Sequence, residues 1–184
     1  MVNEEDYNPG IDDFLEQILE TKMKLGDKFQ VYLHAGESYQ RSNTEIYDAI
    51  LLKTKRIGHG FGLALRPDLV DIVKQENICV ECCPISNNVL GYVHDMRTHP
   101  TRALLAKGVK VSISPDDPGF FDSPGLTLDY MYAYLWWDLS IEDMKQLALN
   151  SIEFASISSE DKLNAIDFFE EKWSSFLAYV RGKY

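Results

Sequence analysis

Residues able to do chemistry recur in this chain at four points marked by glycine or proline, with histidine, glutamate or aspartate at three of them. These are His34-Ala-Gly-Glu37, Gly58-His59-Gly60, Cys83-Pro-Ile-Ser-Asn87 and Ser114-Pro-Asp116-Asp117-Pro118. An imidazole with a carboxylate suits a borderline divalent cation such as zinc. A second imidazole, a further carboxylate and a glutamate three residues beyond the first histidine are what metal-assisted hydrolysis requires. One group takes the proton of a water and another delivers a proton to the substrate. The glycines beside them let the backbone approach a flat ligand closely.

Each motif closes a short apolar run that reads as a strand: 29–34, 56–59, 78–83 and 109–114. Helical spacing separates the runs. Ile11, Phe14, Leu15, Ile18 and Leu19 form one face and Gly26 stops it. Ser42-x-x-Glu45 is a candidate capping box ahead of Ile46 and Ile50. Pro67 and Pro100 sit where a first helical turn accepts them, and Pro84 ends the third strand. Beyond residue 125 only helices are expected, over 126–137, 140–149 and 159–182. Strands joined by single helices imply right-handed crossovers and a parallel sheet. In such a sheet the carboxyl ends share one face, where His34, Glu37, His59, Asp116 and Asp117 converge. Periodicity leaves two architectures open, a small doubly wound sheet and half of an eight-stranded barrel.

Taken singly, each of these residues has a plainer reading. His34 alone would pass for a core histidine, Glu37 for a charge at a helix start and Asp116-Asp117 for a turn. Four coincidences at strand ends argue for a site. His94, in a polar loop, and His99, before Pro100, lie outside the pattern and read as structural. The aromatic set Tyr130, Tyr132, Tyr134, Trp136 and Trp137 reads as helix packing.

The 184 residues carry a formal charge of −11, with 45% hydrophobic and 26% charged residues, the composition of a globular domain. The acidic balance argues against a nucleic-acid partner, which needs a surplus of Lys and Arg. No apolar run approaches the ~20 residues of a membrane span, and the acidic start MVNEEDYNPG is not that of a signal peptide. The cysteines Cys79, Cys82 and Cys83 are odd in number. Without a second Cys-x-x-Cys they read as buried strand residues rather than a zinc ribbon or a disulfide.

The four motifs, with Asp95-Met-Arg-Thr-His-Pro100 and Leu147-Ala-Leu-Asn-Ser151, resemble those of the adenosine deaminases, in particular the adenosine deaminase-related growth factors. The resemblance runs in order over nearly the whole chain. It implies a partial TIM (β/α)8 barrel of four parallel strands with intervening helices plus C-terminal helices. Residues 1–184 would be the C-terminal half of a metal-dependent deaminase barrel. The activity implied is zinc-dependent hydrolytic deamination of adenosine and 2'-deoxyadenosine to inosine and ammonia. By the same resemblance His34 and Asp116 would hold Zn2+, and Glu37 would shuttle the proton at purine N1. His59 would position and activate the attacking hydroxide, and Asp117 would hold the water and bind the purine near N7. Asn3 stands where the family has a glycine touching the base.

The family also implies a small-molecule substrate, an extracellular location and a homodimer whose contact region is not among these residues. It carries a His-x-His pair on its first strand, whereas the histidines here are 34, 59, 94 and 99. With two metal ligands in place of four, the isolated chain is expected neither to hold zinc tightly nor to deaminate adenosine. Two rival readings stand beside this one. The first is a related purine or nucleotide deaminase, for which Arg41, Arg56 and Arg66 are too scattered to bind a phosphate. The second is a non-catalytic paralogue acting as a binding or growth-factor-like protein.

Overall fold

A computed structural model describes residues 9–38 and 43–183. Four short strands, β1 (Tyr32–Ala35), β2 (Arg56–His59), β3 (Cys79–Cys82) and β4 (Lys110–Ile113), form one parallel sheet in the order β1-β2-β3-β4. That order decides between the two architectures. A doubly wound sheet reverses its winding at a switch point. Here every crossover steps the same way, which places the connecting helices on one face, as in a barrel wall.

The faces are chemically unlike. The register sets Tyr32 opposite Arg56, His34 opposite Gly58, Arg56 opposite Cys79 and Cys79 opposite Lys110. With side chains alternating along each strand, Tyr32, His34, Arg56, Glu81, Lys110 and Ser112 share one face. On it Arg56 pairs with Glu81 and lies over the Tyr32 ring, 5.2 Å from its centroid. The opposite face offers Ala35, Ile57, Val80, Cys82, Val111 and Ile113 to the helices, and with Ile46, Leu69, Val73, Leu104 and Leu147 they make the core.

Helix α1 (Leu15–Leu25) follows a 3₁₀ turn and stops at Gly26, whose φ of 57° ends it as expected. Helix α2 (Glu45–Leu51) starts from Thr44, and the Asn43 side-chain oxygen accepts the Glu45 N–H at 3.1 Å. Ser42 of the expected capping box lies outside the described residues. Proline opens α3 (Pro67–Gln75), α4 (Pro84–Val89) and α5 (Pro100–Ala106). Pro84 therefore starts a helix as well as ending β3. The first strand sits later than its apolar run suggested, because residues 29–31 lead into it without ladder pairing. Helices α6 (Leu126–Trp136), α7 (Ile141–Glu153) and α8 (Ser159–Lys183) complete the chain. Ser140 and Asp143 form a true capping box at the start of α7. Among the described residues no helix is long and apolar enough to cross a membrane.

Helix α4 is moored at two points. The Asp129 carboxylate, wholly buried on α6, accepts the Ile85 N–H at 3.0 Å. On the other side, Asn87 Oδ1 lies 3.1 Å from His99 Nε2. His99 Nδ1 accepts the Thr101 N–H at 3.2 Å, so Nε2 carries the proton and donates it to Asn87. Its ring packs against Trp137, centroids 4.9 Å apart, and edge-on to Phe61. Trp137 is buried with its indole N–H donated to Met96 O, while Trp136 and Tyr134 stay largely exposed. His99 is thus a core histidine and His94 an exposed loop residue.

Burial pushes the His99 imidazole down from 6.5 to about 4. Between those values the unfolded chain binds a proton that the folded one refuses, so stability is full above pH 6.5 and falls as the pH drops toward 4. The share at stake is about 3 kcal/mol. Denaturant unfolding at stepped pH should show a shallower acid loss in His99→Gln than in the unaltered chain. Equal slopes would contradict the assignment.

Candidate active site

The carboxyl ends of the strands gather the residues singled out above. His34 is the third residue of β1, on the polar face, and is exposed. Gly36 follows at φ 68°, and a Cβ there would fall 2.1 Å from Ile46 Cδ1, so the turn that brings Glu37 back to the rim accepts only glycine. At Gly58, opposite His34, a Cβ would stand 2.9 Å from the His34 ring.

By strand alternation His59 should point with Ile57 into the core. It does not. Its φ of 66° is left-handed, as is the 55° of Gly60, and this turns the imidazole out of the strand toward the rim. There Nε2 lies 3.6 Å from Glu37 Oε2, and the ring centroid is 5.1 Å from that of His34. Asp116 reaches the same place, also through a left-handed residue, at φ 58°. One donor atom each from His59, Cys83 and Asp116 lie within 4.8 Å of one another. Among the described residues six non-glycine positions have positive φ, Lys53, His59, Asn77, Asp116, Asp122 and Asp138, and of these His59 and Asp116 are the two that meet in this cluster.

Burial lowers the His59 pKa to about 4; the Asp116 charge pulls it upward and the His34 imidazole pushes it down. The ring is neutral at physiological pH, and its Nδ1 is buried with no hydrogen-bond partner among the described residues. A neutral imidazole beside a carboxylate is donor chemistry for a divalent metal, so these residues fit one. Asp117 begins the turn after Asp116. Its side chain is exposed, and its carbonyl accepts the N–H groups of Phe120 and Phe121. Asn3 lies outside the described residues.

Cys83 is the residue that reading by type overlooked. The three cysteines are free and buried, as expected of strand cysteines. Cys82 points into the core, where Thr101 Oγ1 approaches its sulfur at 3.1 Å. Cys83, one residue on, faces the rim. Counting by twos from Glu81, on the polar face, would have found it.

Residues 14–172 match the family model described as adenosine deaminase. The chain belongs to the adenosine deaminase family. It is 43% identical over 189 residues to adenosine deaminase 2 of Dictyostelium discoideum, an alignment covering 100% of this chain and 35% of that protein. The name adenosine deaminase 2 bears out the growth-factor branch. Among solved structures, the adenine deaminase of Arthrobacter aurescens superposes with a TM-score of 0.80 at 26% identity, over 94% of this chain and 51% of that one. A Burkholderia ambifaria amidohydrolase with bound Zn gives a TM-score of 0.83 at 19% identity, over 98% and 49%. The four-stranded unit is therefore about half of a TIM barrel of this kind. The chain spans about a third of the length of the curated relatives it matches.

The left-handed backbone of His59 makes a direct prediction for stability. In a normal strand Gly is less stable than Ala by about 0.5–1 kcal/mol. At φ 66° the order reverses, and His59→Gly should exceed His59→Ala by about 1 kcal/mol in urea unfolding. Ala equal to or better than Gly would show that the residue does not hold this conformation.

Proposed function

We propose that these residues form the carboxyl-terminal part of a zinc-dependent deaminase site that hydrolyses adenosine, and 2'-deoxyadenosine, to inosine and ammonia. The observation that carries the reading is the outward turn of His59. It brings an uncharged imidazole to 3.6 Å from Glu37 and into the donor group with Asp116. Zinc, when bound by His34 and Asp116 with further ligands, supplies an activated water at neutral pH.

The protein's own groups do the rest. Glu37, in its protonated form, donates to purine N1 and draws electrons from C6. His59, neutral and fixed at the rim, orients the incoming water and accepts its hydrogen bond. Asp117, exposed at the mouth, holds the water and the purine edge near N7. A bond forms between the water oxygen and C6, the C6–N bond breaks, and the amino group leaves as ammonia with the transferred protons. The acidic charge of −11 suits a small nucleoside rather than a nucleic acid. The family reading adds an extracellular homodimer.

Turnover of adenosine, its monophosphate and adenine by the full-length gene product tests this reading. Adenosine should be preferred. Glu37→Gln and His59→Ala should each lower kcat at least about 100-fold with folding intact by circular dichroism. Undiminished turnover in Glu37→Gln, or no inosine from the unaltered protein, would overturn it. The isolated 184-residue chain is expected to form no inosine, because its 184 residues contain no His-x-His pair.

A further inference from the structure

The group of three potential metal ligands that stand close together among the described residues does not include His34. It is His59, Cys83 and Asp116, each offering one nitrogen, sulfur or oxygen donor within 4.8 Å of the other two. Three features favour an ion there. His59 is only 6% exposed, and its Nδ1 has no partner among the described residues, so a buried donor stands unused there. Cys83 is 4% exposed and outside any disulfide. Its position is set by Pro84 and by α4, whose Ile85 N–H is fixed on Asp129. Asp116 has left-handed backbone, and its carboxylate lies within 4.8 Å of the His59 and Cys83 donors.

We propose that His59, Cys83 and Asp116 form a thiolate-containing site of their own for a thiophilic divalent ion such as Zn2+ or Cd2+, and that its occupancy shuts down the deaminase centre. Bond lengths of about 2.0–2.3 Å place tetrahedral donors near 3.5 Å apart, so the three groups need to close by about 1 Å at most. A rim loop and a cysteine at a strand end can make that shift. The chemistry balances without a redox partner. The Cys83 S–H bond breaks, a sulfur–metal bond forms, and the proton leaves to solvent. Thiolate is what separates this set from a nitrogen–oxygen site, because it selects the softer ions. The ion takes the imidazole and the carboxylate that the deamination reading assigns to water and zinc, so a metal at one set excludes the other. The inhibition rests on that reading; the binding does not.

X-ray absorption of the unaltered 184-residue chain loaded with one equivalent of Zn2+ or Cd2+ decides the matter without an activity assay. The expected spectrum contains one sulfur neighbour among nitrogen and oxygen. A sulfur-to-metal charge-transfer band should appear on Co2+ titration. Cys83→Ser should lose the band and at least tenfold in affinity, while His34→Ala keeps both. Should Cys83→Ser not fold, the same spectrum from Cys79→Ser and Cys82→Ser assigns the sulfur by elimination. A purely nitrogen and oxygen shell, no metal binding, or loss of the band in His34→Ala but not in Cys83→Ser would overturn the proposal. Adenosine turnover by the full-length protein is scored separately. Its absence would count against the deaminase reading and leave the sulfur signature standing.

Discussion

The left-handed backbone at the ends of β2 and β4 is the constraint on which the rest depends. A strand sends alternate side chains to opposite faces, and here one face belongs to the core. Without the turn at His59 its imidazole would lie among Ile57, Val80 and the helices, where no carboxylate could meet it. With the turn, a residue from the apolar register joins residues of the polar one, and the rim becomes a site rather than an edge. Asp116, in the loop beyond β4, is left-handed as well. The conformation costs free energy of order 1 kcal/mol or more at each residue, which surrounding packing must offset. The neighbouring glycines assist: Gly60 continues the left-handed path, and Gly58 leaves space for His34.

Sheet order supplies the second constraint. Strands laid down in the sequence β1-β2-β3-β4, all parallel, bring four loops from distant parts of the chain to a single end. Residues as far apart as His34 and Asp116 both border His59 for this reason alone. The helices on the other face carry no chemistry but fix the register. Their apolar residues match the strand positions Ile57, Val80 and Val111, and a slip by one would turn Arg56 and Glu81 into the core.

Much of this was legible in the sequence. Apolar runs ending in Gly–His or Cys–Pro placed the strands to within three residues, and Pro67 and Pro100 placed helix starts. The gathering of His34, Glu37, His59 and Asp116 followed from the parallel topology. Three things were not legible, each for a physical reason. Alternation between strand faces says nothing of a positive φ in a non-glycine residue, so the path of His59 could not be read. Residue type alone makes Cys82 and Cys83 alike, although they face opposite sides. And α4 is short, six residues opened by Pro84, with little periodicity to announce it. Its fixing comes from partners on α6 and at the start of α5, a matter of tertiary contact.

Those two moorings of α4 respond to acid in contrary senses. Asp129 has a folded pKa raised chiefly by burial, so taking up a proton relieves the enclosure of its charge. The neutral carboxyl can still accept the Ile85 N–H through its carbonyl oxygen. His99, by contrast, would have to admit a charge into a wall of aromatic rings. As the medium sours, burial thus favours the proton on one side of the helix and opposes it on the other, while the Ile85 N–H, which favours the charged carboxylate, is held less strongly.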